Sequence, residues 1–252
     1  MIITSKNNET YKFLKSLKEK KYRQEHGLFM VEKPVVMEEA RDFRPKYIAI
    51  SESSFKGNKF PDITKKVKEE NLFIFSDNIF KNLCDAVTSP GIIAYYSQVH
   101  REFHEEPGKF LYLDDIREPG NLGGMIRSAD AFGLDGLIIS PNSCDLYNPK
   151  TVRSSMSSIF RVPIYFMTRE DLVKLDFNII ATSLNNSRST RDYKFKDKDI
   201  VVIGNEAKGV SDFLMSHAKG FLNIPISPNV DSLNANVAAS IIIYEMMKWN
   251  MY

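Results

Sequence analysis

Two kinds of apolar pattern alternate along the 252-residue chain. Short, nearly unbroken apolar runs read as strands: "GLFMVE", "YIAIS" and "GIIAYYS" in the first hundred residues, then "FLYLDDI", "GLIIS", "VPIYF", "NIIATS", "DIVVIG" and "FLNIPIS". Between them, "VVMEEARDF", "LGGMIRSADAF", "PKTVRSSMSSI" and "EDLVKL" read as helices, and "IFSDNIFKNLC" as a strand running into one. A strand that is apolar at nearly every position is buried on both faces, which indicates a parallel sheet covered by helices. The pattern therefore predicts a small α/β unit over residues 1–97 and a second α/β unit with a mainly parallel sheet over 109–252. A charged connection at 98–108, with Pro107 and Gly108, lies between them. The closing helix, "LNANVAASIIIYEMMKW", places Leu233, Val237, Ile241 and Tyr244 on one face, a pattern expected of core or interface packing.

Composition narrows the class. With 43% hydrophobic and 26% charged residues the chain is expected to fold around a core. No stretch of about 18 apolar residues occurs and the start lacks a signal-like core, so a cytoplasmic protein away from membranes is expected. Cys84 and Cys144 are too few for a disulfide framework and are expected to be reduced and buried. His100 and His104 have the spacing of a helical metal pair, but no third ligand follows at a suitable distance, and no metal is expected. The charge is uneven: residues 1–100 hold 17 basic against 13 acidic residues, and the remainder 17 against 19. The bias is strongest in a basic helix expected near 8–21, continuing through Lys20, Lys21 and Arg23. Such a stripe suits either a phosphate backbone or a solvated helix face.

Three loops carry more polar chemistry than connections need. In "LDDIREPGNLGGMIRSADAFG" the glycines at 120, 123 and 124 fail both the dinucleotide spacing and the Walker spacing. What remains is a tight turn with Asn121 placed to cap a helix and Arg127 nearly two turns further on; the glycines would also let a helix pack closely on the sheet. In "VVIGNEAKGVS" a strand ends at Gly204, and Glu206 offers a carboxylate beside backbone that a ligand can approach, with Ser211 placed to cap the next helix. In "IPISPNVDSLNANVAAS", Ser232, Asn234 and Asn236 cluster at a helix start, where Ser232 is a candidate cap.

In this order the three loops resemble the three motifs of the SpoU/TrmH family of RNA ribose 2'-O-methyltransferases, of the knotted SPOUT class. The segment "NPKTVRSSMSSIFRVPIY" is similar to that family's Pro-Lys-x-x-Arg stretch. The resemblance covers about residues 109 to 250, and the amino-terminal unit resembles the L30e-like substrate-binding domain of many members. It implies an α/β fold with a deep trefoil knot, S-adenosyl-L-methionine as methyl donor, and a homodimer formed through the catalytic domain. By motif position it assigns Arg127, Asn121, Glu206, Ser232 and Asn234 to catalysis or substrate ordering. Thr182, Leu184, Gly204, Ile224, Ile226 and Leu233 fall to the donor pocket, and Lys20, Lys21, Arg23, Lys150 and Arg153 become candidate RNA contacts. Two positions depart from the pattern: Glu118 stands where Asp is usual, and Lys33 where glycine is usual.

The resemblance implies an RNA substrate, with 23S ribosomal RNA favoured and transfer RNA the alternative. A non-catalytic RNA-binding or ribosome-assembly protein that keeps the fold is the reading from another class. The family mechanism makes Arg127 a general base, yet an arginine pKa above about 12 leaves almost none of it deprotonated at neutral pH. The chemistry of a guanidinium favours binding of the phosphate beside the target ribose and stabilisation of the developing alkoxide.

Overall fold

In the computed structural model, which describes residues 1–248, the chain forms two units: residues 1–99 with 145–160, and 100–144 with 161 onward. The first contains a five-stranded sheet of β1 (Ile2–Ile3), β2 (Leu28–Val31), β3 (Tyr47–Ser51), β4 (Leu72–Phe75) and β5 (Ile92–Ser97), ordered β1-β4-β3-β5-β2. β1, β4 and β3 are parallel, and β5 is antiparallel to its neighbours β3 and β2. Helices α1 (Glu9–Ser16), α2 (Lys20–His26), α3 (Pro34–Glu39), α4 (Glu52–Lys56), α5 (Pro61–Thr64) and α6 (Asp77–Phe80) connect the strands. The single basic helix expected near 8–21 is in fact two. Asn8 caps α1 by accepting from the Tyr11 amide, the chain leaves the helix at Leu17, and α2 begins at Lys20. The apolar side of that pattern is as expected, with Leu14 and Leu17 buried in the core.

The second unit contains a seven-stranded sheet of β6 (Phe110–Leu113), β7 (Gly136–Ile139), β8 (Ile164–Phe166), β9 (Asn178–Thr182), β10 (Arg188–Ser189), β11 (Asp199–Ile203) and β12 (Gly220–Asn223). Its order is β10-β12-β9-β11-β6-β7-β8, and every pairing is parallel. All residues of β6, β7 and β11 are buried, which is why these strands read as unbroken apolar runs. Helices α7 (Pro119–Phe132), α10 (Arg169–Leu172), α11 (Asp212–His217) and α12 (Ala235–Met247) follow or connect these strands, while α8 (Pro149–Ser155) and α9 (Ser158–Arg161) lie on the stretch between β7 and β8. Because β12, β9, β11 and β6 are adjacent and parallel, the loops that follow them leave the sheet along one edge. A parallel sheet builds ligand sites at that edge.

One expectation is narrowed and one corrected here. The face of α12 carrying Val237 and Tyr244, expected to serve core or interface packing, is not core, which leaves the interface reading: both side chains are about half exposed, while Ala235, Ala239, Ile242, Ile243, Met246 and Met247 are buried. The helix is apolar on several sides, so periodicity alone could not choose between them; its expected end at Trp249 lies outside the described residues. The helix expected over "PKTVRSSMSSI" also breaks at Met156, whose backbone adopts a positive φ of 55°.

Residues 145–160, with α8, pack into the first unit although they follow β7 in sequence. Phe29 of β2 meets the rings of Tyr147 and Phe160 at 4.6 and 5.8 Å. Lys33 donates to the Arg153 carbonyl near the end of α8 at 3.3 Å. A cation at that end complements the helix dipole. Cys84 is buried as expected, Cys144 is partly exposed and corrects that expectation, and neither forms a disulfide among the described residues.

Candidate active site

At the start of α7, Pro119 occupies the first helical position, where its missing N–H costs nothing. Glu118 is the N-cap: its Oε2 accepts from the Asn121 amide at 2.7 Å, a contact worth about 1 kcal/mol to the helix. The expectation that Asn121 caps α7 is thus corrected, and Glu118 in place of the usual Asp does the capping instead.

Asn121 is left with its side chain free to bridge the other two loops. Its Nδ2 donates to Glu206 Oε1 at 2.9 Å, and its Oδ1 accepts from Asn234 Nδ2 at 3.0 Å. Glu206 also accepts from the Arg117 and Glu118 amides, at 3.1 and 3.2 Å. Partial desolvation alone would raise the Glu206 carboxyl. The hydrogen bond from Asn121 and those from backbone amides outweigh it and hold the group below its ordinary value. All three motif loops therefore meet at one amide.

The loop after β11 is folded tightly on itself. A Cβ on Gly204 would lie 2.1 Å from the Gly209 carbonyl carbon and the Val210 nitrogen, so only glycine fits. Asn205 closes the turn with Gly209 through paired backbone bonds of 2.9 and 2.8 Å, while its Nδ2 donates to the Asp115 carbonyl at 2.7 Å. Ser211 stands at the N-cap of α11 without a side-chain cap bond. In the third loop the cap of α12 is Asn234, which accepts from the Asn236 and Val237 amides at 2.9 and 3.3 Å. Ser232, expected as a cap, is exposed and two residues too early.

Gly124 lets α12 approach α7: a Cβ there would lie 2.4 Å from Asn236 Nδ2. At Gly124 the close approach is against a helix, where the sequence led one to expect the sheet. One turn further along, the Ser128 and Ser240 hydroxyls bond at 2.7 Å across the same helix pair. Arg127 is exposed on α7 and, among the described residues, has neither an ion pair nor a hydrogen bond.

The residues expected to hold a methyl donor line the loops after β9, β11 and β12. Thr182 ends β9 and donates to the Val202 carbonyl at 2.9 Å, and Leu184 is 66% exposed. Ile224, Ile226 and Leu233 are half-buried. The side-chain oxygens of Ser187, in the loop after β9, and Ser211 are buried and have no hydrogen-bond partner among the described residues. Orphaned hydroxyls and half-buried aliphatic side chains suit a ligand with both polar and apolar parts.

Among the expected RNA contacts, Lys20 and Lys21 are exposed at the start of α2. Arg23 is 2% exposed: its Nη2 contacts Asp145 at 2.5 Å and its Nη1 donates to the Leu17 and Lys18 carbonyls, so its assignment to RNA is corrected. Arg153 pairs with Glu32 at 3.3 Å and Asp85 at 2.5 Å, and is engaged in holding the first unit together. Lys150 is exposed on the first turn of α8. Sequence reasoning missed the acceptor of Arg23, Asp145, because the pair is separated by 122 positions.

The chain's relatives agree with this layout. Residues 108–244 match the model of the SpoU rRNA methylase family, and residues 8–94 match that of the MRM3-like substrate-binding domain. Over 97% of this chain and 98% of the relative, it is 28% identical to the 23S rRNA (guanosine(2553)-2'-O)-methyltransferase RlmP of Bacillus subtilis. The AdoMet-bound rRNA methyltransferase of Sinorhizobium meliloti superposes with a TM-score of 0.88 at 25% identity, covering 100% of this chain and 99% of that one. The SpoU methyltransferase AviRb of Streptomyces viridochromogenes shares the fold, with a TM-score of 0.81 at 22% identity over 97% and 98% of the two chains. These matches agree with the α/β-knot fold class expected from the motifs. This chain belongs to the SpoU rRNA methylase family.

Proposed function

We propose that the protein transfers a methyl group from S-adenosyl-L-methionine to a ribose 2'-hydroxyl of ribosomal RNA. The observation that carries this reading is the Asn121 hub, which ties the loops after β6, β11 and β12 together at the carboxyl edge of four adjacent parallel strands. The full-length likeness to a 23S rRNA 2'-O-methyltransferase supports the substrate class.

The donor supplies an electrophilic methyl carbon on a sulfonium. Thr182, Leu184, Gly204, Ile224, Ile226 and Leu233 are assigned to hold it, largely through the loops' backbone. Glu206 and Asn234 orient Asn121, and Ser232 stands at the open side of the third loop. Arg127, exposed and without a side-chain partner among the described residues, is assigned to the phosphate beside the target ribose, where a planar cation both positions the sugar and stabilises negative charge on the 2'-oxygen. Alignment of oxygen, methyl carbon and sulfur supplies a large share of the rate.

Lys20, Lys21 and Lys150 are assigned to the RNA backbone, where charge sets affinity more than sequence does. The half-exposed Val237 and Tyr244 of α12, with the Phe132 ring packed edge-to-face on Tyr244 at 5.5 Å, support a homodimer through the catalytic unit. Among the described residues no helix is long and apolar enough to cross a membrane, and action on ribosomal RNA supports a cytoplasmic location. Deleting the gene and mapping 2'-O-methyl marks in total RNA tests the proposal. One ribosomal mark is expected to disappear and to return with wild type but not with Arg127→Ala; an unchanged methylation map would refute it.

A further inference from the structure

We propose that Arg169, outside all three motif loops, is a positioning residue that braces the turn from which the Asn121 hub hangs; this rests on the methyltransferase reading above. The backbone after β6 turns sharply at Asp115, which has a φ of 58°. An L-residue in that left-handed region is disfavoured unless its surroundings impose it. Arg169, the first residue of α10, imposes it by bridging two successive carboxylates: its Nε donates to Asp114 Oδ1 at 2.6 Å and its Nη2 contacts Asp115 Oδ2 at 2.8 Å.

The two carboxylates in turn hold the site's loops. Asp114, only 1% exposed, accepts from the Ser211 amide at 2.8 Å and so fixes the far end of the loop after β11. The Asp115 carbonyl accepts from Asn205 Nδ2 at 2.7 Å and fixes the near end. The Asp115 amide donates to Ser140 Oγ, and that hydroxyl donates back to Asp115 Oδ1, both at 2.8 Å. Two residues later the chain delivers the Arg117 and Glu118 amides to Glu206. Without the guanidinium, two adjacent carboxylates repel each other and the buried one keeps a single amide donor. Asp114 and Asp115 then have no reason to stay where Ser211 and Asn205 need them.

The brace acts on the loop assigned to the methyl donor, so its removal separates donor binding from RNA binding. Arg169→Met is expected to lower kcat by about ten- to a hundredfold and raise the KM for S-adenosyl-L-methionine, with the KM for RNA unchanged. Arg169→Lys, which keeps the charge but reaches one carboxylate, should recover part of the loss at an unchanged melting temperature. Asp115→Gly supplies the decisive background, because glycine adopts a positive φ without help. There, Arg169→Met should cost only a few-fold. Unchanged kcat and KM values in Arg169→Met, or equal losses in both backgrounds, would overturn the brace while leaving the enzyme reading intact. A wild-type chain that methylates no RNA would overturn the enzyme reading, and the brace with it.

Discussion

Asn121 and Arg127 sit on the same helix and are held in opposite ways. Asn121 is fixed by Glu206 and Asn234, whereas Arg127 is exposed and has no side-chain partner among the described residues. Arg127→Lys retains the charge but loses the two-pronged geometry, so turnover should fall at least about tenfold with little change in S-adenosyl-L-methionine affinity; steady-state kinetics check this. Glu206 makes a pH prediction. Its carboxyl is held below the ordinary value of 4.5 in the folded chain, so its contribution is complete above that value and lost as pH falls through the depressed one. Donor affinity measured by calorimetry should therefore hold from neutrality down past pH 5 and weaken only below 4.5. Glu206→Gln, with one accepting oxygen in place of two, should weaken activity about tenfold at pH 7 and lose that acid limb. The sequence named these residues but not their pairings. Asn121 and Ser232 are plausible caps by type, and only the backbone shows that Glu118 and Asn234 fill those places.

Helices α7 and α12 pack on each other, and Gly124 is one of the places where they touch. Gly124→Ala drives a methyl into Asn236 and should destabilise the chain by about 1–3 kcal/mol, seen as a lower unfolding midpoint. Adding Asn236→Ala should restore part of that stability; an unaltered midpoint in Gly124→Ala would mean the helices tolerate separation. The strands were legible because a fully buried parallel strand is apolar throughout, as in Ile200–Ile203. Gly124's purpose was not, because its neighbour lies 112 positions away. The buried face of α12 was also illegible: Ile241, Ile242 and Ile243 are consecutive and equally apolar, so the face is chosen by packing against α7.

Across the two units the basic charge at the start of α2 and the motif loops belong to different bodies. Residues 145–160 pack with the first unit, so cutting the chain after 97 would strip a covered apolar surface that includes Val152 and Phe160. Charge reversal in the full chain is the cleaner probe. Lys20→Glu with Lys21→Glu should weaken RNA binding and flatten its salt dependence by one to two phosphate contacts, roughly 0.9 per contact in log-log slope, leaving donor binding intact. Filter binding across a salt series reads this directly. The charged stretch expected as a connection at 98–108 falls within the second unit from residue 100 on, and the return of 145–160 to the first unit was not legible, since α8 resembles any other helix of an α/β chain. The central claim is the chemistry itself. Purified full-length protein, labelled S-adenosyl-L-methionine and undermodified ribosomal RNA should give label that survives alkaline hydrolysis as a dinucleotide, because a methylated 2'-oxygen can no longer cleave the adjoining phosphodiester. Label recovered in mononucleotides, or none transferred by an intact chain, would contradict it.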